Sequence, residues 1–172
     1  MLKHYAILLI SLIQLCFCST ATGQIITTIA GSSSSFYDTA CGRNGRVPAI
    51  SYGFLDMSGI IADRYGNYYI ADRGCGIVLK IDTAGYIALF AGGGTSMAVG
   101  IPATDAVLND IVDVAVDDTG NVYLPDAANY RLLKVNVHTN IISSIAGTGV
   151  LGYSGMAALQ QPHRLIILPV YL

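Results

Sequence analysis

Asp72 and Asp126 stand at the same point of a repeated segment, in a chain whose eleven acidic residues are all aspartate. Matched carboxylates invite a metal site, because hard cations take oxygen ligands and catalytic zinc wants about three converging protein ligands. The partners needed to complete such a set are scarce. There is no glutamate, and once the apolar leader containing His4 is set aside only His138 and His163 remain. No G-x-S-x-G elbow and no suggestively placed Cys–His pair is present either. A residue that recurs with the unit serves the unit's architecture, whereas a catalytic group is needed once. Asp72 and Asp126 are therefore read as acceptors for backbone N–H groups in the turn after each strand. Arg131, Lys134 and Lys80 are read as strand-edge cations, solvated or paired between units. No catalytic, metal or cofactor residue is assigned.

The elements that position these residues follow from the repetition. Asp63 to Asp72 reads D-R-Y-G-N-Y-Y-I-A-D, and Asp117 to Asp126 reads D-D-T-G-N-V-Y-L-P-D. The match continues from Ile77–Asp82 to Arg131–Asn136, and from Phe90-Ala91-Gly92 to Ile145-Ala146-Gly147. A period of about 54 residues falls near the range of propellers and arrays. Within each copy, short runs rich in Val, Ile, Tyr and Leu alternate with turn residues, which is the pattern of strands and hairpins. Strands are expected at 59–63, 67–72, 77–82 and 87–92, and again at 112–117, 121–126, 131–136 and 141–147. Gly66 and Gly120 supply the positive φ of the first turn in each copy. Four antiparallel strands per repeat make one propeller blade. Gln24 to Gly31 matches only a fourth strand. The expected fold is all-β: a partial β-propeller of two four-stranded antiparallel blades plus an orphan N-terminal strand.

The N-terminus reads as an export signal over residues 1–23. Lys3 and His4 precede an apolar run from Tyr5 to Phe17, and Ala21 and Gly23 stand at the −3 and −1 positions of a cleavage before Gln24. The run is shorter than the ~20 residues of a membrane span. Secretion is expected, to an extracellular or periplasmic space, with no membrane association after cleavage. The remainder is weakly charged and lacks a basic stripe, which disfavours a nucleic-acid partner.

Two cysteines, Cys41 and Cys75, follow the leader. In an exported chain they form one disulfide or remain as two thiols filling small gaps. Cys41 lies in a long link before a blade and Cys75 in a turn between second and third strands. The topology puts such links and turns on one face of the disc, which favours the bridge. The links, 32–58, 93–111 and 148 onward, are rich in Gly and Ser with scattered Tyr. Loops on a rigid scaffold carry recognition, so Tyr37, Tyr52 and Tyr153 are candidate binding-face residues.

D-x-x-G-N-x-Y-[IL]-x-D, followed by N-Y-R-L-L-K-V at Asn129–Val135 and I-x-x-I-A-G, resembles the NHL repeat. Gly100-Ile101-Pro102-Ala103-Thr104-Asp105-Ala106 is similar to the G-x-P-A-T-x-A linker of the secreted, long-linker type. The first copy departs from the pattern at Cys75 and Ile77, where that family carries Asn and Arg. The resemblance implies a propeller, commonly six-bladed, that acts as a scaffold for binding. The function expected is a non-enzymatic module with a protein or glycan partner. A few relatives are enzymes, and the alternative is the N-terminal part of a metal-dependent propeller hydrolase or lyase whose catalytic residues lie in further blades.

The repeat pattern holds over 24–155, with blades at about 59–92 and 112–147, and breaks after Gly155. Met156 has a single codon, and the frame one base earlier permits G-P-A-T-A-A-Q and then N-Y-P-A-G-I, which resumes the repeat in register. Residues 156–172 are therefore read as an aberrant, frameshifted tail, in which His163 and Arg164 carry no functional weight.

Overall fold

The computed structural model describes residues 26–32, 41 and 45–151. The leader, Tyr37, Tyr153 and the 156–172 tail lie outside them. Two antiparallel sheets account for the strands. The first contains β1 (Val47–Pro48), β2 (Met57–Ala62), β3 (Tyr68–Asp72), β4 (Ile77–Ile81) and β5 (Tyr86–Gly92), ordered β1-β5-β4-β3-β2. The second contains β6 (Ile101–Pro102), β7 (Ala115–Val116), β8 (Val122–Asp126), β9 (Arg131–Val135) and β10 (Ile141–Ala146), ordered β6-β10-β9-β8-β7. Each is a meander of four strands with a two-residue strand added at its outer edge. The fold is a partial β-propeller, and the sheets are called blades 1 and 2 below.

Three expectations change. Each blade has five strands, because Val47–Pro48 pairs with Tyr86–Ile87 and Ile101–Pro102 pairs with Ile141–Ile142. Pro48 and Pro102 lack an N–H to give to a further strand, so they suit an edge and close it. The first strand of blade 2, expected over 112–117, shrinks to Ala115–Val116. Asp110 is left-handed at φ 54, and the Asp113 carboxylate accepts the Val114 N–H at 2.8 Å, so local side-chain bonding replaces the ladder there. The orphan segment is in no sheet over its described part. Ile26 is 97% exposed, and the segment is tethered by the Gly31 and Ser32 N–H groups donating to the Ala49 and Tyr52 carbonyls at 3.0 and 2.9 Å.

The turns obey the residues that mark them. Gly66 and Gly120 take φ of 86° and 88°. The Asp63 carboxylate accepts the Tyr65 and Asn67 N–H groups at 2.9 Å, and Asp117 accepts those of Thr119 and Asn121 at 2.9 Å. The D-x-x-G-N motif is thus a hairpin whose first carboxylate satisfies the turn's donors.

One core lies between the blades. Tyr69, Ala71, Val78 and Phe90 from blade 1 meet Ala103, Ala106, Leu108, Ile111 and Val114, which lead into blade 2, with Leu124 and Leu133 behind them. Gly59 makes the close approach feasible. A Cβ at that position would meet the Asp113 Cα at 2.9 Å. A second cluster of Ile70, Ile77, Leu79, Ile81 and Ile87 packs under Ala49, Tyr52 and Phe54 on the other side of blade 1.

Candidate functional site

The repeated chemistry of the two units is consumed by the scaffold. Asp72 is fully buried at the end of β3, and its two oxygens accept the Leu55 and Asp56 N–H groups at 3.0 Å. Asp126, equally buried at the end of β8, accepts the Asn109 N–H at 2.8 Å. These backbone donors belong to the link before the blade rather than to the turn after the strand, which corrects the sequence expectation. The turn's one contribution is the Asn129 side chain, whose amide donates to both Asp126 oxygens at 3.0 Å. The separation of 16–17 residues between each Asp and its backbone donor explains why spacing alone could not pair them.

Arg131 is likewise no solvated edge cation. Its side chain is 7% exposed and its Nε donates to Asp126 at 2.8 Å. Its Nη1 donates to the Met97 carbonyl at 2.8 Å and its Nη2 to the Val107 carbonyl at 3.2 Å. One guanidinium therefore binds the link to the blade at three points, using the rigid fork that suits arginine to such a role. Lys80 and Lys134 lie 5.5 Å over the rings of Tyr69 and Tyr123, matching each other as the repeat implies.

Cys41 and Cys75 are joined in a disulfide with their Cα atoms 5.4 Å apart. Tyr52 is not a surface residue. It is 4% exposed and packs edge-to-face on Phe54 with centroids 4.9 Å apart, under the Ile70 face of blade 1. A Tyr in a Gly- and Ser-rich link reads as a recognition loop, but the apolar face beneath it claims the ring. Exposed His138 sits in the β9–β10 turn, with its backbone N–H donating to the Asn136 carboxamide at 3.0 Å. Among the described residues, no group of three or more His, Cys, Asp or Glu is arranged to hold a metal ion.

The electrostatics follow the same structural logic. Asn121, Thr119 and Tyr123 all donate to Asp117 and hold its carboxyl far below the usual range. Burial would raise Asp63, but the Asn67 side chain and the Asn67 and Tyr65 N–H groups outweigh it and bring the group down. Burial first, and the nearby Asp63 carboxylate second, push the Tyr69 hydroxyl up to about 12. The two carboxyl shifts are explained by bonds within a blade, and the Tyr69 shift first by burial.

What the surface offers is a groove of about 390 Å³ beside the link of blade 2, lined by Met97, Val99, Arg131, Ser144, Gly147, Thr148 and Gly149. Met97 and Val99 are each 48% exposed, an apolar wall opposite backbone and hydroxyl groups. Sequence inspection did not single out Met97 or Val99, because the groove forms where two links meet and no motif marks that wall.

No protein-family model matches the chain, and no curated protein matches it. Solved structures with propeller-like folds are similar to it. A structural genomics protein of unknown function from Bacteroides thetaiotaomicron VPI-5482 is 28% identical with a TM-score of 0.44, over 52% of this chain and 23% of that one. Virginiamycin B lyase from Staphylococcus aureus is 17% identical with a TM-score of 0.39, over 52% of this chain and 26% of that one. A streptogramin B lyase is 13% identical with a TM-score of 0.42, over 60% and 31%. The chain therefore spans between 23% and 31% of the length of these structures.

Proposed function

We propose that this chain is part of a secreted, non-enzymatic NHL-type propeller that works as a binding scaffold for a protein or glycan partner. One observation carries the reading: the aspartates of the repeat are occupied in holding turns and links, so the repeated chemistry builds the support. Recognition then falls to the links, which vary between the two copies and meet in the groove walled by Met97 and Val99.

The test is binding of the chain to immobilised glycans and secreted proteins, comparing the native chain with a Met97→Asp/Val99→Asp variant. Loss of about tenfold or more in affinity, with an unchanged unfolding midpoint, supports the groove. Unchanged affinity overturns it. Turnover by the purified protein, with about one equivalent of bound zinc or calcium, would instead support the hydrolase or lyase alternative.

A further inference from the structure

The two blades fasten their links at corresponding places by unlike chemistry. Cys75 occupies the position of Asn129, three residues beyond the buried aspartate, and Ile77 occupies that of Arg131. Blade 1 thus lacks both side chains that grip Asp126 in blade 2. Ile77 carries no donor, and Asp72 is left with the Leu55 and Asp56 N–H groups. In their place stands the Cys41–Cys75 bond. The residue matching Cys41 one repeat later is Thr95, two positions before Met97, whose carbonyl Arg131 holds. The disulfide and the arginine therefore join the same two parts of their respective units.

We propose that the Cys41–Cys75 bond is a redox-sensitive latch: it holds the turn after β3 as Asn129 and Arg131 hold the turn after β8, and its reduction loosens blade 1 at that turn alone. Both cysteines are half-buried, so a small dithiol reaches the bond. In that exchange the S–S bond breaks and both cysteines become thiols. The dithiol supplies two electrons and two protons and closes to its own disulfide. The Arg131 clamp has no redox chemistry, so blade 2 is indifferent to the same reagent. With the bond open, the far side of the turn keeps only the Cys75 and Gly76 N–H groups on the Asp72 and Arg73 carbonyls at 3.2 and 3.1 Å. Arg73 at its start stays tied to the link through its N–H on the Asp56 carbonyl at 2.8 Å and an exposed ion pair with the Asp56 carboxylate at 2.7 Å.

Amide hydrogen exchange on the full chain, with and without dithiothreitol, tests the latch. Reduction is expected to speed exchange at Cys75 and Gly76 by about tenfold or more and to leave Ala127–Tyr130 unchanged. A Cys41→Ser/Cys75→Ser variant should show the fast rate without reductant and no response to it, which isolates the effect from Cys16 and Cys18. A Cys41→Ser/Cys75→Asn/Ile77→Arg variant, carrying the blade 2 clamp in blade 1, should recover slow exchange that dithiothreitol does not alter. The proposal is overturned if reduction of the native chain changes neither turn, or speeds both equally. That measurement alters no residue, so it decides the matter even where the transplanted clamp prevents folding.

Discussion

Blade 1 turns Tyr69, Ala71, Val78 and Phe90 toward blade 2, and all four are buried there. The matching residues of blade 2 are Tyr123, Pro125, Leu132 and Ile145, and no third sheet covers them among the described residues. The first three are half-buried and Ile145 is 48% exposed, against 9% for Phe90. The same position on the same kind of strand is core in one blade and surface in the other. Burial in a stacked repeat belongs to the pair of units, since each sheet can hide an inner face only against a neighbour. The fastening differs as well: blade 2 holds its link with a buried ion pair, while blade 1 uses a covalent bond, two backbone donors on Asp72 and the exposed Arg73–Asp56 pair.

The comparison breaks most visibly at Arg131. Replacing it with alanine leaves Asp126 charged, buried and short of a donor, and should cost about 3–5 kcal/mol in urea unfolding followed by tyrosine fluorescence, the chain having no tryptophan. A loss no larger than that of an exposed pair such as Arg46–Asp82, about 0–1 kcal/mol, would show that the clamp holds nothing. Next comes the inter-blade face. Phe90→Ala should cost about 3 kcal/mol, and Ile145→Ala less than about 1 kcal/mol. Equal costs would mean that blade 2 finds a cover for this face in solution.

A smaller effect sharpens the contrast between the two hairpin aspartates. Asp63 and Asp117 both titrate lower when folded than when unfolded, so each adds stability above the unfolded value of about 4. That stability is lost as pH falls from there toward the folded value. Asp117 accepts two hydroxyl bonds, from Thr119 and Tyr123, for which Asp63 has no counterpart among its bonds. Asp117→Asn should therefore flatten the acid-unfolding curve more than Asp63→Asn, measured by circular dichroism between pH 5 and 2, taken as a window of about three units. The smallest effect concerns the cations over tyrosine rings. Lys80→Ala and Lys134→Ala should each cost about 0.5–1 kcal/mol and match one another, as their equal 5.5 Å distances imply.

Much of the fold was legible because local chemistry carries it. Alternating apolar residues place seven of the eight expected blade strands within a residue or two, and Gly66 and Gly120 turn where positive φ is needed. The eighth, at 112–117, looked like a strand by pattern, yet Asp110 and Asp113 divert its backbone. Val47–Pro48 and Ile101–Pro102 are too short to show alternation, and their pairing is visible only once β5 and β10 are in place.

The candidate site was less legible than the fold, for a definite reason. Repetition in the sequence by itself determined the number of described blades and their antiparallel meanders, because each depends on residues within a few positions of one another. The tertiary structure alone decided that Tyr52 is core, that Arg131 joins Met97 and Val107 to Asp126, and that Met97 and Val99 wall a groove. Those outcomes depend on which surface comes to lie opposite. Contacts 24 and 34 residues apart in sequence are set by the path of a link over a sheet, which no local pattern encodes.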